Sequence, residues 1–120
     1  MNKKVNLEEK LNLFAELWSP KIVGELNGQY VKLAKMQGEF MWHSHEHEDE
    51  LFYVISGTLN IELRDKNIEI KQGEFYIVPK GVEHKPVAYE EAHVLLLEPK
   101  STEQTGGIDD DLLVDNQPWI

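Results

Sequence analysis

The sequence predicts an all-β domain, a sandwich or barrel with a single N-terminal helix, and three observations point there. Short apolar-rich runs alternate with turn residues from Ile22 to Glu98. Helical periodicity is confined to one stretch near the N-terminus. The 120 residues, 41% of them hydrophobic, suit one domain with its own core over residues 1–120, and the absence of cysteine leaves that core without disulfides.

The helix is expected from about Leu7 to Trp18. Asn6 can cap it, Glu9 sits three residues on as in a capping box, and Leu7, Leu11, Phe14, Leu17 and Trp18 make one apolar stripe. Ser19-Pro20 ends it, because the residue before proline is biased away from helical geometry. Ile22 to Leu26 and Tyr30 to Met36 flank Asn27-Gly28, a two-residue hairpin signal. Further strands are expected at Phe40 to His45, Glu50 to Ile55, Thr58 to Leu63, Ile68 to Lys71, Phe75 to Val78, Val82 to Val87 and His93 to Glu98. Ser56-Gly57, Arg64 to Asn67, Gln72-Gly73 and Pro79-Lys80-Gly81 supply turns between them. The barrel thus spans about residues 20–98. A tail follows over 101–120, with Thr105-Gly106-Gly107, then Asp109 to Asp111, and an apolar Trp119-Ile120 end.

The formal net charge of -10, with 22 acidic against 12 basic residues, argues against nucleic-acid partners. Arg64 is the sole arginine, which weakens any reading that needs guanidinium clamps on a phosphorylated substrate. No apolar run approaches the ~20 residues of a membrane span. The N-terminus turns acidic where a signal peptide would turn apolar, so a cytoplasmic protein is expected.

Three of the five histidines cluster in His43-Ser44-His45-Glu46-His47-Glu48-Asp49-Glu50. Alternation along a strand puts His43 and His45 on one face, roughly 6.5–7 Å apart, near enough to converge on one ion. Glu50 has the wrong parity for a continuous strand, and a turn through Glu46 to Asp49 removes the conflict. A second turn at Pro79 to Gly81 would return His84 to the sheet. Three imidazoles and a carboxylate suit one divalent transition metal: iron, manganese, nickel, cobalt, copper or zinc.

In these residues the chain resembles the cupin superfamily, and closely its small single-domain, mannose-6-phosphate-isomerase-like members. His43-x-His45, four residues, Glu50, six residues and Gly57 match the first motif of that family. Gly73, five residues, Pro79-x-Gly81, two residues and His84 match the second, after a short 15-residue spacer. Two positions depart from the pattern. Four residues rather than five separate Gly38 from His43, and Ala88 replaces a frequent asparagine. The resemblance implies a β jelly roll with the metal inside the barrel, held by His43, His45, Glu50 and His84 and reached from one open end. It implies a small-molecule ligand, a metalloenzyme of oxygenase or isomerase type, and pairing into homodimers. The expected dimer surface combines the Asn27-Gly28 hairpin, the helix stripe and Trp119-Ile120. A non-catalytic metal or small-ligand binding domain is the alternative, since no general base outside the ligand set can be named.

His47 shares parity with His43 and His45, but only two residues separate it from Glu50, so it is read as a solvated turn residue. His93 is read as structural, and Glu46, Glu48 and Asp49 as an acidic turn that can orient a ligand imidazole. Met41 and Phe52 share strand faces with His43 and Glu50, as pocket wall or as core. Asp109 to Asp111 lacks the spacing of a calcium loop and is read as solvated.

Overall fold

The computed structural model describes residues 3–108, 110–114 and 116–120. Half of the chain is strand and 4% helix, in an antiparallel jelly roll. Helix α1 (Leu7–Leu11) precedes β1 (Lys21–Leu26), β2 (Gln29–Glu39), β3 (Glu50–Ser56), β4 (Thr58–Leu63), β5 (Asn67–Lys71), β6 (Phe75–Val78) and β7 (His84–Pro99). The strand order is β1-β2-β7-β3-β6, with β4 joining β5 to the first half of β7.

Alternation does most of the sorting. On β3, Glu50, Phe52 and Val54 face inward while Leu51, Tyr53 and Ile55 are half-buried on the outer face. The same parity turns Lys32, Ala34 and Met36 of β2 inward, and Val94, Leu96 and Glu98 of β7. The barrel core is built on Met36, Phe52, Val54, Leu59, Ile61, Ile70, Val94 and Leu96. Asn27 and Gly28 both take positive φ, 50° and 75°, as the tight β1–β2 hairpin requires.

Three sequence expectations need correction. The helix stops at Leu11 rather than Trp18, although Asn6 caps it as expected by accepting the Glu9 N–H at 3.0 Å. Beyond it the backbone finds partners on β2: Lys35 Nζ donates to the Phe14 carbonyl at 2.6 Å, and the Trp18 N–H donates to the Lys35 carbonyl at 2.8 Å. Unwinding separates residues that a helix would keep on one stripe. Leu11 and Phe14 pack on Val23 and Leu33 outside the barrel, while Trp18 turns into the interior. Of the helix stripe expected to serve a dimer, Leu7, Leu11 and Phe14 therefore cover the chain's own sheet, while Leu17 stays exposed. Ile120 joins that cluster, and Trp119 pairs with Ile22 of β1.

The two strands expected at Val82 to Val87 and His93 to Glu98 are one, β7. Its bend at Tyr89 to Glu91 carries extra residues opposite Gln37, between the pairs Met36 with Ala92 and Gly38 with Ala88. The two positions that depart from the family pattern are thus cross-strand neighbours. Finally, Phe40 to His45 is not a regular strand. His43 and His84 exchange two backbone hydrogen bonds at 3.0 and 2.9 Å, and Phe40 N–H reaches the Pro86 carbonyl at 2.9 Å. Pro86 has no N–H to return, so the ladder breaks there.

Candidate metal centre

The centre forms where three chain segments meet. The His43–His45 arm lies against the start of β7, Glu50 opens β3, and His84 opens β7 just after the Pro79–Gly81 turn. Two bonds fasten the loops that set this geometry. Gly81 N–H donates to the His45 carbonyl at 2.8 Å, and Lys80 N–H to Asp49 Oδ1 at 2.8 Å. Gly81 sits at φ 80°, a conformation that glycine adopts without strain.

His43, His45, Glu50 and His84 are all buried, and one donor atom from each lies within 4.8 Å of the others. Glu50 Oε1 is 3.3 Å from His45 Nε2 and 3.6 Å from His84 Nε2. Ligands on one ion adopt such separations when each bond is about 2.1 Å. Backbone carbonyls orient two of the rings: His43 Nδ1 donates to Met41 O and His84 Nδ1 to Val82 O, both at 2.9 Å. A carbonyl only accepts, so Nδ1 carries the proton and Nε2 is left as a lone-pair donor. His45 Nε2, His84 Nε2 and Glu50 Oε1 are buried without a hydrogen-bond partner. Orphans of this kind are costly unless something satisfies them. The donor set and its orphaned atoms fit a divalent ion, which would supply Lewis-acid or redox chemistry.

Burial, then the positive charge that His84 can carry, lowers His43 from 6.5 to about 4, so its ring stays neutral near pH 7. Burial alone would push Glu50 up, but the neighbouring His45, His84 and Glu98 side chains hold it well below the usual carboxylate range. Glu98 and Lys32 were missed in the sequence. They form a buried ion pair, Lys32 Nζ to Glu98 Oε1 at 2.8 Å, beside Glu50. Burial and the Glu50 charge push Glu98 well up, against the pull of the Lys32 ammonium. The signal was available, since Glu98 keeps the inward parity of Val94 and Leu96.

The other sequence candidates lie as follows. His47 is 79% exposed beside Glu46, outside the cluster. His93 bonds Glu91 at 2.7 Å. Glu48 accepts from Ser101 and Asp49 from Lys80, and no side chain of the acidic turn orients a ligand ring. Phe52 borders a cavity of about 30 Å³ against His43 and Glu50. Met41 does not border it; its side chain packs on the barrel core and its carbonyl holds His43. Trp18, Met36, Phe40, Leu96 and Gln104 also form the wall. Gln104 reaches it because the tail crosses the barrel mouth, where Thr105 is buried and Gly106 lies against the Ser44 backbone. Of the acidic tail triplet, Asp110 and Asp111 are exposed and Asp109 lies outside the described residues.

Residues 29–98 match the cupin domain family model. The chain is a cupin. It is 35% identical over 104 residues to the uncharacterized protein YdbB of Bacillus subtilis, covering 86% of this chain and 92% of that one. A cupin-2 domain containing protein from Shewanella frigidimarina is 48% identical, with a TM-score of 0.79 over 80% of this chain and 94% of its own. NMB1881 from Neisseria meningitidis is 28% identical, with a TM-score of 0.75 over 82% of this cupin and 100% of its own chain. No helix among the described residues is long and apolar enough to cross a membrane.

Proposed function

We propose that this cupin is a single-domain mononuclear metalloprotein. His43, His45, Glu50 and His84 would hold one divalent transition metal, and a small organic molecule would bind at the remaining coordination positions. The observation that carries this reading is the meeting of three orphaned buried donors, with His45 Nε2 3.3 Å and His84 Nε2 3.6 Å from Glu50 Oε1. The protein's part is positional. Met41 O and Val82 O fix two imidazoles, the Glu50 carboxylate supplies charge, and Trp18, Phe40 and Phe52 wall the adjoining cavity with apolar surface. Metal-centred oxidation or isomerisation is the reaction class. A non-catalytic binding role is the second reading, favoured because the cavity wall offers no titratable group beyond His43 and Glu50.

Elemental analysis of protein purified without chelator tests the centre. The expected result is close to one transition-metal ion per chain, and a metal-free wild type that takes up no iron, cobalt or manganese overturns it. Oxygen uptake or isomer formation with small diketones, phenolic acids and sugars separates enzyme from binding module. The chain is also proposed to form a homodimer, which light scattering checks against the 13.9 kDa of one chain.

A further inference from the structure

The cavity beside the cluster says what kind of molecule can enter it. Beyond His43 and Glu50 its wall is Trp18, Met36, Phe40, Phe52 and Leu96, completed by proline, alanine and Gln104. The Gln104 amide is already engaged on both sides: Nε2 donates to the Trp18 carbonyl at 2.6 Å, and Oε1 accepts from Val114 N–H at 2.8 Å. No cation borders the space among the described residues. Lys32 is held by Glu98 at 2.8 Å, and Arg64 lies over the Trp42 ring on the exterior, bonded to Glu83. The body of a guest therefore meets apolar surface alone.

Charge limits the head of that guest. A divalent ion with one carboxylate and three neutral imidazoles carries a net charge of about +1. Against an apolar wall a monoanion neutralises it, whereas a phosphate dianion leaves charge that no arginine or lysine lining the cavity among the described residues offsets. Size limits it again: about 30 Å³ leaves room for only one or two water-sized groups.

Trp18 sets that limit. Its φ of 55° is rare for a bulky residue. Three hydrogen bonds hold it there: its N–H to Lys35 O at 2.8 Å, its indole Nε1–H to Gln37 O at 2.9 Å, and its carbonyl from Gln104. The indole packs on Phe40 with ring centroids 5.0 Å apart. A strained backbone held at several points beside a cavity points to a positional role.

We infer that the centre takes a small apolar monoanion, a short-chain carboxylate or an equivalent oxygen-donor anion, and not a phosphorylated sugar. Its head binds on the metal side by His43 and Glu50, its body lies against Trp18, Phe40 and Phe52, and Trp18 determines the length accepted. The inference rests on the metal reading above.

The test is a titration of the cobalt(II)-loaded protein, followed by its visible spectrum, with formate, acetate, propionate, butyrate and valerate. Inorganic phosphate and a sugar phosphate are the comparison. Affinity is expected to rise about fourfold per methylene while the cavity has room and to fall beyond that. The phosphates should bind more weakly than propionate. Trp18→Ala should move the optimum to a longer chain. Gln104→Ala, which opens the wall from the tail side, should do the same and serves where Trp18→Ala does not fold. Affinities that are flat along the series, tighter phosphate binding, or an unmoved optimum in a folded variant overturn the inference alone. Protein that takes up no cobalt overturns the metal reading and this inference with it.

Discussion

Acidifying the metal-free protein should weaken it through His43. The ring is buried against Phe40 and His84, with centroids 5.4 and 4.3 Å away. Burial first, then His84, lowers it from 6.5 to about 4. In the unfolded chain it titrates near 6.5, so between those limits the unfolded state binds the extra proton. The sign follows: stability from this group is intact above about pH 6.5 and is lost as pH falls toward 4. At about 1.4 kcal/mol per pH unit the loss comes to about 3 kcal/mol. Urea unfolding of chelator-treated wild type and His43→Gln, at pH 7 and pH 4.5, measures it. Other carboxylates and histidines titrate in both proteins, so the difference between the two isolates His43. The wild type should lose about 2–3 kcal/mol more than the variant over that range. Equal losses would refute the reasoning.

Four further outcomes can be checked. His84→Ala should reduce bound metal to below about a tenth of the wild-type content, by elemental analysis, because it removes one of three neutral donors. Lys32→Met should cost about 3–5 kcal/mol in urea unfolding by leaving Glu98 buried beside Glu50 without its cation, and adding Glu98→Leu should recover most of it. Gly57→Ala should cost about 2 kcal/mol in the same assay, since its φ is 84° and a Cβ would meet the Ala92 and Glu91 backbone at 3.0 Å. Gly106→Ala would drive a Cβ into the Ser44 carbonyl, so limited proteolysis should cut the tail faster while the barrel remains intact.

The fold was legible where one local rule acted alone. Period-two alternation placed Thr58–Leu63 and Phe75–Val78 at their observed bounds, and Asn27-Gly28 made its hairpin. The cluster was legible for a similar reason, since spacing, parity and two glycine-bearing turns bring His43, His45, Glu50 and His84 together. What was hidden depends on distant partners. The helix shortens because Lys35 offers the Phe14–Trp18 backbone better company than another helical turn. The arm before His45 is irregular because the residue facing Phe40 is a proline 46 positions away. The cavity wall was hidden most deeply. Trp18 reads as part of a surface stripe, and nothing near Gln104 in sequence says that the tail folds across the barrel mouth.

The meeting of arm, β3 and β7 at one point also bears on how the chain resists unfolding. It has no cysteine, and its ligand-bearing arm is tied to β7 by the His43–His84 bond pair and the Phe40–Pro86 bond. An ion held by residues 43 and 84 would be a cross-link across a loop of about 40 residues. Closing a loop of that length covalently restricts the unfolded chain by about 4 kcal/mol. The ion would thus act like a vulcanising bridge in a polymer network, fastening segments that otherwise meet through few bonds. Chelation would then remove a mechanical fastener along with the ion itself.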